Sequence, residues 1–201
     1  MILSLPRPFA LSLLALALLA GCATEVPMPS NVRTLTHSGG AKMIESVDFS
    51  YASKTASFQK VKLCVAENVT RPDVQLRDSA GSWVGPATGI YYQANNRQTV
   101  AGGSIFKYVD DSAASLIATG TARAAPAMGG MVNDIVQFDL RAGTGSAGVT
   151  LTFTNISRAL QNSGSVANAG FNPVFTHSGA RAEGVYSALE VTANRLKACI
   201  G

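Results

Sequence analysis

The sequence predicts an α+β domain: one mainly antiparallel sheet of roughly six to eight strands, with a single carboxy-terminal amphipathic helix packed on it. Three observations predict it. Apolar and polar residues alternate over Val132–Arg141 and again over Val149–Ile156, the period of a half-buried strand. Near residue 181 the period changes to three and four, and Ala182, Val185, Tyr186, Leu189, Ala193, Leu196 and Ile200 recur on one stripe. Between these segments, short apolar runs are separated by clusters of Gly, Pro, Asn and Asp. A two-sheet β-sandwich is the alternative arrangement. At 201 residues, with 47% apolar and 14% charged residues, the chain is long enough to bury about 70% of its unfolded surface. That composition excludes an acidic disordered chain, a coiled coil and a collagen-like repeat. Three cysteines are too few for a disulfide-framework miniprotein.

The elements follow in order. Ser57–Val69 (SFQKVKLCVAENV) alternates well enough for a strand, with Val61, Leu63 and Val65 on one face and Cys64 on the other beside Lys62. Residues 70–98 are turn-rich, with short strands at Val74–Leu76 and Ile90–Gln93. Residues 104–109 and 114–122 read as two strands around Asp110-Asp111-Ser112, and Pro126–Gly130 is a break. In the next pair, Val136, Phe138 and Leu140 oppose Gln137, Asp139 and Arg141, and Val149, Leu151 and Phe153 oppose Thr150, Thr152 and Thr154. The linker AGTGSAG makes them a long hairpin. The helix is expected over about 181–199. Arg195 and Lys197 in its last turn suit the helix dipole, and Gly184 weakens its start by up to about 1 kcal/mol.

The amino end reads as an address. After Arg7, residues 9–20 run FALSLLALALLA, too short for the roughly 20 residues that span a bilayer and of signal-peptide length. Leu19-Ala20-Gly21-Cys22 follows at once. This segment resembles the lipobox of bacterial lipoprotein precursors, and the resemblance covers only the leader. It implies that the Cys22 thiol receives a diacylglycerol, that cleavage falls between Gly21 and Cys22, and that the new amine is acylated. The other possibility is an ordinary secretory signal with a chance cysteine. Two or three acyl chains make a durable anchor. Ala23, rather than Asp, after the lipidated residue implies sorting to the outer membrane by the enterobacterial rule. The expected organisation is therefore a leader at 1–21, a flexible tether at 22–41 rich in Pro, Ser, Thr and Gly, and one globular domain at 42–201.

Cys64 and Cys199 remain once Cys22 is lipidated. An even pair in an oxidising envelope reads as one disulfide, closing a loop of 135 residues that is worth at most about 4–5 kcal/mol. Two unpaired thiols are the other possibility. Two distant Cys and two distant His do not make a zinc site, and no metal or cofactor is expected.

Chemical motifs are sparse. Gly143, Gly145 and Gly148 fit G-x-G-x-x-G, but a strand follows where dinucleotide binding needs a helix. His37 and His177 both lie in Thr-His-Ser-Gly, which is either a pair of converging loops or two ordinary turns. Asp110 and Asp111 would point to opposite faces of a strand. Glu67, Asp73 and Asp78 lack the string of a calcium loop. The segment VKLCVAENVTR (61–71) resembles VTLTFTNISR (149–158) if one residue is skipped, which is either a duplicated unit or two similar strands. The net charge of +4 is dispersed and gives no nucleic-acid patch. The best candidate for binding is the aromatic loop GSWVGPATGIYYQANNR, with Trp83, Tyr91 and Tyr92 as a surface for protein or glycan. The alternative puts Trp83 and one Tyr in the core. The expected function is a non-catalytic, lipid-anchored envelope module. A small-ligand carrier or enzyme with a cleft between sheet and helix is the alternative.

Overall fold

The computed structural model describes residues 24–53, 56–127, 130 and 132–201. The leader and Cys22 lie outside the described residues. Strands β1 (Val32–Thr36) and β2 (Lys42–Tyr51) are followed by helix α1 (Phe58–Asn68). Then come β3 (Val74–Asp78), β4 (Trp83–Val84), β5 (Tyr91–Tyr92), β6 (Asn96–Val100), β7 (Phe106–Asp110) and β8 (Ser115–Arg123). Strands β9 (Asp134–Gly145), β10 (Gly148–Leu160) and β11 (Asn172–Pro173) precede the carboxy-terminal helix α2 (Ala182–Ile200).

The expected fold class is what forms: an open antiparallel sheet of seven strands in the order β1-β2-β10-β9-β8-β7, with β11 against β10 and both helices on one face. Strands β7 to β10 are consecutive hairpins. β9 and β10 run longer than the alternation suggested, down to a two-residue turn where Gly145 pairs with Gly148. The glycine string is thus a hairpin. Gly148 sits at φ +123°, and a Cβ there would meet the Tyr51 carbonyl, so only glycine fits.

The apolar face of the sheet supplies Val47, Val136, Phe138, Leu140, Leu151 and Phe153. Phe138 and Phe153 meet edge to face at 5.1 Å. Helix α2 sets Val185, Leu189, Ala193 and Leu196, all fully buried, on that face. Each such Val or Leu contributes about 1.5–3 kcal/mol of burial. Its Glu183 and Lys197 lie in the first and last turns, matching the helix dipole.

Two expectations are corrected. Ser57–Val69 is helix α1, not a strand. The Ser57 hydroxyl accepts the Lys60 N–H at 3.2 Å, an N-cap worth about 1 kcal/mol. Phe58, Val61, Cys64 and Val65 turn inward at helical spacing, while Leu63 is left 52% exposed. Because 61–68 is helix and 149–158 is strand, the internal echo is neither a repeated unit nor a pair of similar strands. The second correction concerns the tether. Val32–Thr36 is an edge strand paired along β2 from Val32↔Val47 to Thr36↔Lys42. Upstream, Val26 N–H donates to Thr176 C=O at 2.7 Å and Glu25 bridges His177. Most of 24–41 therefore belongs to the fold. Ladder hydrogen bonds hold this polar stretch in place, where apolar content gave no signal.

Cys64 and Cys199 are bonded, with Cα atoms 5.7 Å apart. The link ties α1 to the last turn of α2.

Candidate functional site

The chain from Val74 to Val100 folds back on itself as two short antiparallel ladders in succession, β3 with β6 and then β4 with β5. At its root β3 pairs with β6 from Val74↔Val100 to Asp78↔Asn96. Val74 and Leu76 pack on Ile135 and Ala159, on the sheet face that the helices leave open. Arg77 N–H donates to Gln161 C=O, and Ser79 N–H to Gly164 C=O, so the ribbon leaves the body beside the end of β10. Asp78 knots the exit. Its carboxylate accepts from Asn96 Nδ2 at 2.6 Å, from Asn168 N–H at 2.9 Å and from Ala80 N–H at 3.0 Å. Those bonds, the Asn96 bond first, hold its pKa below the usual carboxylate value.

Beyond the knot β4 and β5 continue the ribbon as a finger. Trp83 pairs with Tyr92 and Val84 with Tyr91. The Trp83 and Tyr92 rings stack, with centroids 4.6 Å apart and planes 15° from parallel. Gly85 N–H closes the tip onto Ile90 C=O at 2.8 Å, and Gly89 at φ +68° makes the reversal. Trp83, Val84, Ile90, Tyr91 and Tyr92 are each 44–58% exposed. In a pleated ribbon the two pairs project to opposite faces, so the finger is apolar on both. From Ser79 to Asn96 it carries no charged residue. The three aromatic residues singled out in the sequence are thus together and exposed, not in the core.

Other sequence candidates resolve differently. Asp110 caps its own turn, accepting from Ser112 Oγ at 2.6 Å and from the N–H groups of Ser112 and Ala113. Asp111 pairs with Lys62 at 2.7 Å and fastens that turn to α1. His37 and His177 each lie against Phe175, with ring centroids 6.0 and 5.9 Å from its ring. Asp73 accepts the Gly102 N–H at 2.7 Å. Among the described residues no three His, Cys, Asp or Glu side chains gather as a metal site.

Two buried carboxylates escaped the sequence reading. Asp134 accepts from Arg158 and Arg181. Asp139, on the open face of β9, accepts from Lys107 at 2.7 Å, Asn155 at 2.6 Å and the Thr119 hydroxyl. Burial pushes the Asp139 carboxyl up, but these hydrogen bonds and the Lys107 charge outweigh it, and the pKa is lowered. Asn155 reaches Asp139 from a bulge in β10, at φ +49°, a conformation that Asn tolerates better than most residues. Both clusters unite residues far apart in sequence, so no local pattern marks them.

A cleft of about 590 Å³ opens between the ends of α1 and β8, β9 and the flank of α2. Val69, Ile135, Phe138 and Val191 give it apolar walls, and Arg123 and Arg195 stand among its polar groups. Among the described residues no helix is long and apolar enough to cross a membrane. Comparison with protein-family models, with curated proteins and with solved structures finds no match.

Proposed function

We propose that this chain is a bacterial envelope lipoprotein, anchored through acyl chains on Cys22 and sorted to the outer membrane, whose domain works by contact rather than by catalysis. The finger carrying Trp83, Tyr91 and Tyr92 is its contact surface. One observation carries the reading: five large apolar side chains stand exposed on a hairpin braced by its own hydrogen bonds. Folding alone gives no reason to expose such a cluster, and a rigid aromatic patch loses little entropy on binding. The leader and the disulfide, which suits an oxidising compartment, support the location.

Mass spectrometry of the protein extracted from its native membranes tests the anchor. Cleavage before Cys22 with acyl mass on that residue is expected, and an unmodified thiol would sink it. A photo-crosslinker at Tyr91, compared with one at Val166, which is exposed still further, tests the contact surface. Capture of a distinct envelope component from Tyr91 alone is expected.

The cleft beside α2 favours a second reading, a small-ligand carrier. Native mass spectrometry that finds a small molecule bound to the purified protein would promote it over the contact module.

A further inference from the structure

The finger and the amino end leave the domain at the same end of the sheet. Strands β2 and β10 are antiparallel neighbours, so the start of β2 and the end of β10 lie at one end. Thr24 sits at the start of β2: its carbonyl accepts the Ser178 N–H, the neighbouring Thr176 N–H donates to Lys42 C=O, and Lys42 pairs with Glu25. The ribbon exits at the end of β10, through Arg77 on Gln161 and Ser79 on Gly164. Cys22 lies only two residues before Thr24, a reach of at most about 8 Å. Acyl chains on Cys22 would therefore hold that end of the sheet, and with it the root of the finger, against the bilayer. This argument rests on the anchor proposed above.

The chemistry of the finger fits that setting. Being apolar on both faces, it suits a medium that surrounds it rather than a flat surface that covers one side. Trp and Tyr are the residues that settle at headgroup level. The open edges of a two-stranded ribbon keep unpaired backbone groups, which confines it to the interface and bars it from the hydrocarbon core. At the root, Arg77 pairs directly with Arg97 across the strands, and both are exposed. Like charges placed opposite each other destabilise a sheet. Arg77 Nη2 donates to the neutral Gln75 Oε1 at 3.2 Å, but among the described residues neither arginine is in an ion pair, so both positive charges lack a carboxylate and can meet an external anion. Lipid phosphates provide such anions just outside the depth that the aromatic rings would occupy.

We infer that the finger is a second membrane contact: Trp83, Val84, Ile90, Tyr91 and Tyr92 enter the lipid interface beside the anchor, and Arg77 and Arg97 hold anionic headgroups.

Trp83 is the only tryptophan in the chain, so intrinsic fluorescence reports the finger alone. The mature protein, purified from membranes and weighed to establish its acylation, is reconstituted into vesicles of phosphatidylethanolamine and phosphatidylglycerol. Expected are a blue shift of Trp83 emission, quenching by bromine-labelled acyl chains, and at least a severalfold fall in quenching by aqueous iodide. The Arg77→Gln, Arg97→Gln double variant should lose part of the bromine quenching in vesicles containing phosphatidylglycerol and none where all lipids are zwitterionic. Emission that iodide quenches freely and bromine does not would overturn the inference. Emission shielded from both would also overturn it, and would point to a protein partner. Acylated protein without bromine quenching keeps the anchor and removes the finger contact. Unacylated protein that still shows the quenching does the reverse.

Discussion

Asp134 and Arg181 are joined by two parallel hydrogen bonds, Nε to Oδ2 at 2.7 Å and Nη2 to Oδ1 at 2.9 Å. The pair fastens the first residue of β9 to the residue that precedes α2. Arg181 holds a left-handed backbone, φ +58°, and its side chain makes no cap, so the fork to Asp134 fixes where the helix begins. Arg158 of β10 gives the same carboxylate a third bond at 3.0 Å. Removing the carboxylate strands two half-buried cations. Asp134→Ala should therefore cost about 2–4 kcal/mol in urea unfolding. Combined with Arg181→Ala, the loss should fall short of the sum of the single variants by about 1 kcal/mol or more. Strict additivity would mean that the fork is idle.

The disulfide should matter through the unfolded chain. The link closes 135 residues, and the entropy ceiling for that loop is about 4–5 kcal/mol. Both half-cystines lie on helices already packed against the sheet, with Cys64 fully buried and Cys199 half-buried. The Cys64→Ser, Cys199→Ser variant should keep the native circular dichroism and lose about 2–4 kcal/mol. A reductant should lower the wild-type urea midpoint toward that of the variant. If reduction left the midpoint where it was, the link would contribute nothing to stability.

How far the fold was legible depends on which physical signal each segment carries. Helix α2 combines nineteen residues of one unbroken period, and no strand pattern competes with it. Strands β9 and β10 alternate cleanly because the helices cover one face and leave much of the other polar. The α1 segment carries two signals: Val61, Leu63 and Val65 satisfy a period of two, while Phe58, Val61 and Val65 satisfy the helical one. The Ser57 cap and the burial of Cys64 decide the matter, and only the second depends on tertiary contacts. Edge strand β1 has the composition of a tether because ladder bonds need no apolar side chains. The aromatic finger was legible as residue types but not as an exposed group, since exposure depends on what the rest of the chain fails to cover.

Asp139 makes stability depend on pH with a definite sign. Its carboxyl is lowered in the folded protein, so the stability it contributes is complete above the unfolded value, about 3.9. That contribution is lost as pH falls through the folded value. Asp139→Asn keeps the shape and removes the charge that Lys107 and Asn155 address. The variant should be weaker by about 1–3 kcal/mol at pH 7. Urea unfolding repeated toward pH 2 should show the gap between wild type and variant closing below about pH 4. A gap of constant size across that range would show that the charge of Asp139 does not stabilise the fold.

The finger and its root should separate cleanly in stability. Leu76, at the root, is fully buried against Ile135 and Ala159, and Leu76→Ala should cost about 2–4 kcal/mol. Tyr91 and Ile90 are 58% and 55% exposed at the tip. Tyr91→Ser and Ile90→Ser should therefore shift the unfolding free energy by less than about 0.5 kcal/mol. Trp83 is a different case, since its stack on Tyr92 is worth about 0.5–1.5 kcal/mol. If urea midpoints give this pattern, the tip residues are not there for folding, and their apolar character calls for an external partner. A loss above about 1 kcal/mol at Tyr91 would mean that the finger folds back on the body in solution, and the contact surface would have to be sought elsewhere.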